Sequence, residues 1–264
     1  MNIAVISSQG IASGKTSFIS LLASVFAHTQ QKRVAIFSTD RINELLGINE
    51  TKETASLIKS ANIYRAQLLS ATIKDQDIWD YGFRLGEEEV FAFDIAPRTL
   101  PIEEQKEIFS KTLARVKTPM ALIELKGDPF EELNKFLLES CDVVLYVFNQ
   151  NVKDFEMVRK YKDTVSKNVA VKTGYICQRF DANIMGEKMV ARQIGVQVTN
   201  LMQIPYNAVI AKECVDGKLN TIARFIAKGH YEVLNIRPKI LEVMQYLYDT
   251  GSKKYIKGVE KWAK

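Results

Sequence analysis

Seven short runs of nearly unbroken apolar residues, separated by longer amphipathic stretches, leave this chain very few folds. The runs are "NIAVIS" (2–7), "RVAIFS" (33–38), "EVFAFDI" (89–95), "MALIEL" (120–125), "VVLYVFN" (143–149), "KTGYICQ" (172–178) and "NLMQIP" (200–205). A strand with one wet face alternates apolar and polar residues. A strand that is apolar throughout is buried on both faces, as in a parallel sheet covered by helices. The intervening stretches read as helices at 16–29, 101–116, 130–140, 153–165 and 184–194, the second opened by Pro101 and acidic residues. A polar, helix-like region runs from the second strand to about Gly86, and a further helix spans 240–248. There is no internal repeat, low-complexity tract or Pro/Gly/Ser-rich linker. The expectation is one α/β domain over residues 1–250, a mostly parallel sheet flanked by helices on both faces. It carries a C-terminal helical extension, then a basic amphipathic tail at 251–264.

Composition narrows the chemistry. The 264 residues are 47% hydrophobic and 25% charged, enough to bury a large core. Cys141, Cys177 and Cys214 lie far apart with no C-x-x-C pair, which argues against zinc and a disulfide framework and fits a reducing cytosol. No basic flank precedes the first apolar run, so a signal peptide is not expected, and no stretch reaches the roughly 18 apolar residues of a membrane span. The expected location is cytoplasmic, peripheral at the inner membrane face or on the nucleoid if the basic surface is used. Two histidines, His28 at a helix end and His230 in the polar turn "KGHYE", offer no metal cluster. The net charge of +5 fits either an ordinary lysine-rich surface or attraction to an acidic polymer or anionic membrane.

The first run leads into "SSQGIASGKTS", Ser7 to Ser17. The spacing G-x-x-x-x-G-K-[ST] of a phosphate-binding loop calls for glycine at position 9, where Gln9 stands, with Gly10 one place later. The physical requirement is broader than the pattern. Small residues let consecutive backbone N–H groups converge on phosphates, and the following helix N-terminus adds a favourable dipole. Gly10, Ala12, Ser13 and Gly14 are small; Lys15 can neutralise outer phosphates, and the Thr16 hydroxyl can ligate magnesium. Other strand ends supply companions where open α/β sheets bind ligands. "FSTD" ends in Asp40. "MALIELKG" carries Glu124, placed to hold a magnesium water, and Gly127, whose N–H can meet a γ-phosphate. "CQRFD" offers the Gln178 amide and a carboxylate to a base.

Taken in this order, the motifs resemble the ParA/MinD group of P-loop ATPases from Met1 to about Lys228. That group's loop reads K-G-G-x-G-K-[ST] and tolerates a non-glycine at the position of Gln9. The resemblance implies a SIMIBI-like P-loop NTPase fold, with ATP and Mg2+ as cofactors. The nucleotide would lie on Gly10, Ile11, Ala12, Ser13, Gly14, Lys15, Thr16 and Ser17, on Gly127, and on Gln178, Arg179, Pro205 and Tyr206. Lys15 and Asp40 would be the catalytic pair, with Asp40 positioning the attacking water. Thr16, Asp40 and Glu124 would serve magnesium. It further implies an ATP-dependent homodimer, a protein partner that stimulates turnover, and the positioning of a DNA locus, a conjugation or pilus machine, or a division site.

Departures from the family pattern bear on hydrolysis. Gly10 replaces the signature lysine that reaches the partner's phosphates, an interaction of a kind worth roughly 10³–10⁵ in rate for arginine fingers. Glu124 and Ser38 replace aspartates, and Gln178 replaces the base-reading asparagine. Binding survives such changes more easily than fast turnover. A catalytically weak, nucleotide-bound scaffold and a metabolic ATPase of the same fold are the alternatives. In the tail, Tyr255, Ile256, Val259, Trp262 and Ala263 share one helical face flanked by lysines, so residues 252–264 suit an anionic membrane surface. Gly258 weakens that helix by about 1 kcal/mol. Non-specific DNA is the other anionic partner expected.

Overall fold

The computed structural model describes residues 1–7, 14–38, 66, 68, 77–84, 89–94, 100–125, 127–168, 171–215, 224–226 and 228–250. Eight strands form one sheet: β1 (Asn2–Ser7), β2 (Val34–Ser38), β3 (Phe83–Arg84), β4 (Val90–Asp94), β5 (Met120–Glu124), β6 (Val143–Asn149), β7 (Lys172–Phe180) and β8 (Leu201–Pro205). Their order is β3-β4-β2-β5-β1-β6-β7-β8, parallel throughout except for β3, which pairs antiparallel with β4 at one edge. The α-helices include α1 (Lys15–Gln30), α2 (Ile102–Arg115), α3 (Glu132–Glu139), α4 (Val152–Asn168), α5 (Glu187–Ile194), α6 (Ala208–Val215) and α7 (Arg237–Thr250).

The apolar runs are explained by what covers them. In β1, Ile3 and Val5 join a core shared with α1 and α7, while Ala4 and Ile6 point the other way into a second core with Ile108 and Phe109 of α2 and Phe155 and Val158 of α4. Alternate residues of one strand therefore enter two separate cores, and in β1 the polar residues Asn2 and Ser7 stand only at the two ends. Helix α1 is buried along most of its length, from Phe18 to Ala27, so its apolar residues go nearly all round instead of forming a stripe. The C-terminal helix α7 is no loose appendage, because Ile240, Val243, Met244 and Leu247 complete the first core.

Several boundaries moved, each for a local reason. Strand β7 runs to Phe180, two residues beyond the expected end, because a bulge carries it onward beside β8. Helix α5 starts at Glu187 instead of 184, since Asp181 first closes a turn in which its Oδ1 accepts from the Asn183 N–H at 2.8 Å. Strand β3 and the 3-10 turn Asp77–Tyr81 occupy part of the region read as helix-like; two residues are too few to show any period.

Candidate functional site

At the carboxyl ends of β1, β5 and β2, register brings together residues far apart in sequence. Val5 and Ser38 both pair with Glu124, one from each side. Glu124 has no exposed surface, and its carboxylate is held from several directions. Thr16 Oγ1 donates to Oε1 at 2.7 Å, Ser38 Oγ donates to Oε2 at 3.1 Å, and Lys15 Nζ lies 3.9 Å from Oε1. Lys15, only 7% exposed, also donates to the Leu125 carbonyl. A buried carboxylate is tolerable only when paired and hydrogen-bonded in this way. The extra methylene of Glu124, relative to aspartate, carries the carboxylate to both hydroxyls at once.

Gly14 makes the corner into α1, with φ 69° and ψ 11° in the left-handed region. Its carbonyl opens the helix by accepting from the Phe18 N–H at 2.9 Å. Lys15, Thr16 and Ser17 follow as the first helical residues, the positively polarised end of the helix. Gly127 (φ 81°) turns the chain just beyond β5, exposed and close to the Glu131 carboxylate. That acid had no motif to reveal it. Neither had the Leu125 carbonyl, since a backbone acceptor leaves no mark in sequence.

The other wall is formed by the ends of β7 and β8. Gln178 pairs with Asn149 on β6 and with Ile204 on β8, and its Nε2 donates to the Gly14 carbonyl at 3.2 Å. Arg179 has φ 51° and is the extra residue of the bulge, because Gln178 and Phe180 pair with the successive residues Ile204 and Pro205. Arg179 and Tyr206 are exposed, and Pro205 is half-buried. The Asp181 carboxylate, expected to face a base, is drawn into the local turn, its Oδ1 meeting Asn183 Nδ2 at 2.9 Å. Gln150 fixes that turn, accepting from the Asp181 N–H at 2.7 Å and donating to the Met185 carbonyl at 2.9 Å. Gly10, Ile11, Ala12, Ser13, Asp40 and the tail at 251–264 lie outside the described residues.

The chemistry available is that of anion binding at a helix start, with a buried ammonium and two hydroxyls organised around one carboxylate. At the two described cysteine side chains thiol chemistry does not compete: burial pushes the Cys177 thiol up to about 12 and raises Cys141 likewise, so both stay protonated and poorly nucleophilic. Among the described residues no group of three or more His, Cys, Asp or Glu side chains could hold a metal. The Thr16 hydroxyl and Glu124 carboxylate are hard oxygen donors of the type magnesium takes, and magnesium commonly keeps waters and substrate phosphates instead of an all-protein cage.

No family model and no curated protein matches the sequence. Solved structures do. A ParA family ATPase from Chlorobium tepidum TLS superposes with a TM-score of 0.67 at 10% identity, over 93% of this chain and 99% of that one. The MinC:MinD cell division complex of Aquifex aeolicus gives 0.65 at 12%, over 96% and 98%. The septum site-determining protein MinD of Pyrococcus horikoshii OT3, complexed with Mg-ADP, gives 0.62 at 16%, over 96% and 100%. The chain has the ParA/MinD fold. With identities so low the likeness is one of architecture, and it extends over nearly the whole of each molecule. No described helix is long and apolar enough to cross a membrane.

Proposed function

We propose that this chain is a ParA/MinD-type nucleotide switch that binds Mg-ATP, dimerises through its nucleotide edge and positions a cargo, with slow hydrolysis. The observation that carries this reading is the cluster of Lys15, Thr16 and Ser38 around the buried Glu124 at the carboxyl edge of the sheet. In it, Lys15 supplies charge to the phosphates and Thr16 with Glu124 would hold magnesium, alongside Asp40. Magnesium would neutralise the phosphate oxygens in the transition state. Asp40 would orient water, Gly127 would present its N–H to the terminal phosphate, and Pro205 and Tyr206 would line the base. The absence of a lysine at Gly10 favours slow turnover, and keeps the nucleotide-bound scaffold as the second reading.

The same edge carries the apolar surface that an ATP-dependent partner would cover. Val152, Ile184, Met189, Tyr206, Tyr231 and Leu234 are each more than half exposed. All follow the carboxyl ends of β6, β7 or β8, the last two through the Asn207 side chain, whose Nδ2 donates to the Glu232 carbonyl at 3.0 Å. DNA, and an anionic membrane reached through 252–264, are further partners in this proposal. Helix α7 ends at Thr250, one turn beyond Tyr246, whose Oη donates to the Thr173 carbonyl near the start of β7 at 2.6 Å.

The test is ATP binding and turnover, with magnesium, for the native chain and Lys15→Ala. The variant should bind at least about tenfold more weakly, as loss of a charged hydrogen-bonding partner predicts. Binding without turnover, with lipid, DNA or neither, selects the scaffold; equal binding by both proteins rejects the site.

A further inference from the structure

The carboxamide of Gln178 stands where the resemblance places a base reader, yet the structure puts it on the phosphate loop. Its Nε2 donates to the Gly14 carbonyl at 3.2 Å, across 164 residues of sequence. Its Oε1 lies 2.5 Å from where a Cβ on Gly14 would sit, so the amide occupies the space that glycine leaves open. Glycine is required at position 14 by the positive φ, and a Cβ there would also push the end of the Gln178 side chain aside.

We infer that Gln178 is a positioning residue of the phosphate loop, setting its grip on any polyphosphate, and that base identity depends on it little. The inference rests on the nucleotide reading of the site. The Gly14 carbonyl accepts from both Gln178 and the Phe18 N–H, and so is the hinge at which the loop becomes α1. Lys15 and Thr16 are the next two residues, and their side chains leave the backbone in directions set by that corner. Gln178 is itself held on both sides, by Asn149 of β6 and Ile204 of β8. The bulge at Arg179 follows immediately, and bulges beside functional sites commonly re-aim a side chain. An asparagine is one methylene shorter; the extra length of glutamine is what spans the gap from β7 to the loop. The strut thereby ties the wall expected to meet the base to the wall that holds the phosphates.

The experiment measures binding of ATP, GTP and inorganic tripolyphosphate, each with magnesium, to the native chain, Gln178→Ala and Gln178→Met. Methionine matches the length and fills the space but cannot hydrogen-bond. Both variants should lose about three- to tenfold in affinity for all three ligands, the factor expected for one hydrogen bond. A loss confined to ATP, with tripolyphosphate unchanged, would make Gln178 a base reader and overturn the inference. Full recovery in Gln178→Met would reduce the contact to packing and overturn it too. If the native chain binds none of the three, the nucleotide reading is what fails. The strut is then judged by hydrogen exchange in the ligand-free chain. The Phe18 amide should exchange several-fold faster in Gln178→Met, and unchanged exchange rejects the strut.

Discussion

Glu124 and Tyr206 both stand at the carboxyl edge of one sheet, yet Glu124 has no exposed surface and Tyr206 is 57% exposed. Around Glu124 the strands are central, and each polar group described there meets a fixed partner: Thr16, Ser38, Lys15 and the Leu125 carbonyl. Around Tyr206 the strands approach the sheet's edge, β7 bulges, and side chains reach outward. The contrast matches the task proposed for each wall. Charge is handled best where water is excluded and dipoles are fixed in advance. A flat, apolar base needs an open face to stack on, and that face loses nothing by being exposed before the ligand arrives.

The strongest way to break this contrast is Glu124→Leu. It would leave the Lys15 ammonium buried without its carboxylate and two hydroxyls without their acceptor. A loss of roughly 3–5 kcal/mol is expected, as when one partner of a buried pair is removed, read from the urea midpoint of the ligand-free protein. A cost below about 1 kcal/mol would mean that the wall is wetter than its burial implies. The opposite result is expected of Tyr206→Ala. Its stability should change by less than about 0.5 kcal/mol, as for other surface positions. ATP should bind more weakly by about 1 kcal/mol or more, the worth of a base–aromatic stack, while tripolyphosphate is unaffected. Equal loss for both ligands would show that the two walls do not divide the work.

The smallest effect concerns alkaline pH. In the β7 half, burial raises the Cys177 thiol from 9.0 to about 12 and the Tyr246 hydroxyl from 10.0 to about 12. The native chain therefore keeps protons that the unfolded chain releases. The stability this contributes is complete below pH 9 and is lost as pH rises from 9 to 12. Urea midpoints between pH 8 and 11 should fall, and Cys177→Ala should flatten the decline. An unchanged slope would place the sensitivity elsewhere.

Much of the fold was legible because burial on two faces writes itself into consecutive residues. The run at 143–149 is β6 to the residue, and 16–29 lies within α1. What escaped was short or was set by partners. Strand β3 has two residues, and β7 overran its apolar run because β8 and the bulge carry it. At the site, Lys15, Thr16 and Glu124 were legible through chemistry and spacing. The use made of Gln178 was not: glutamine in place of asparagine reads as a weakened base contact, until Gly14 is seen beneath its amide.

The sequence by itself determined the layers, the strand–loop–helix at Lys15 and the identity of the groups at the strand ends, because each depends on neighbours a few residues away. Only the tertiary structure decided which of those ends meet. Ser38 joins Glu124 across 86 residues, Thr16 joins it across 108, and Gln178 reaches Gly14 across 164. These meetings depend on strand order and register, which arise from the packing of whole strands against one another and leave no periodic trace in the chain.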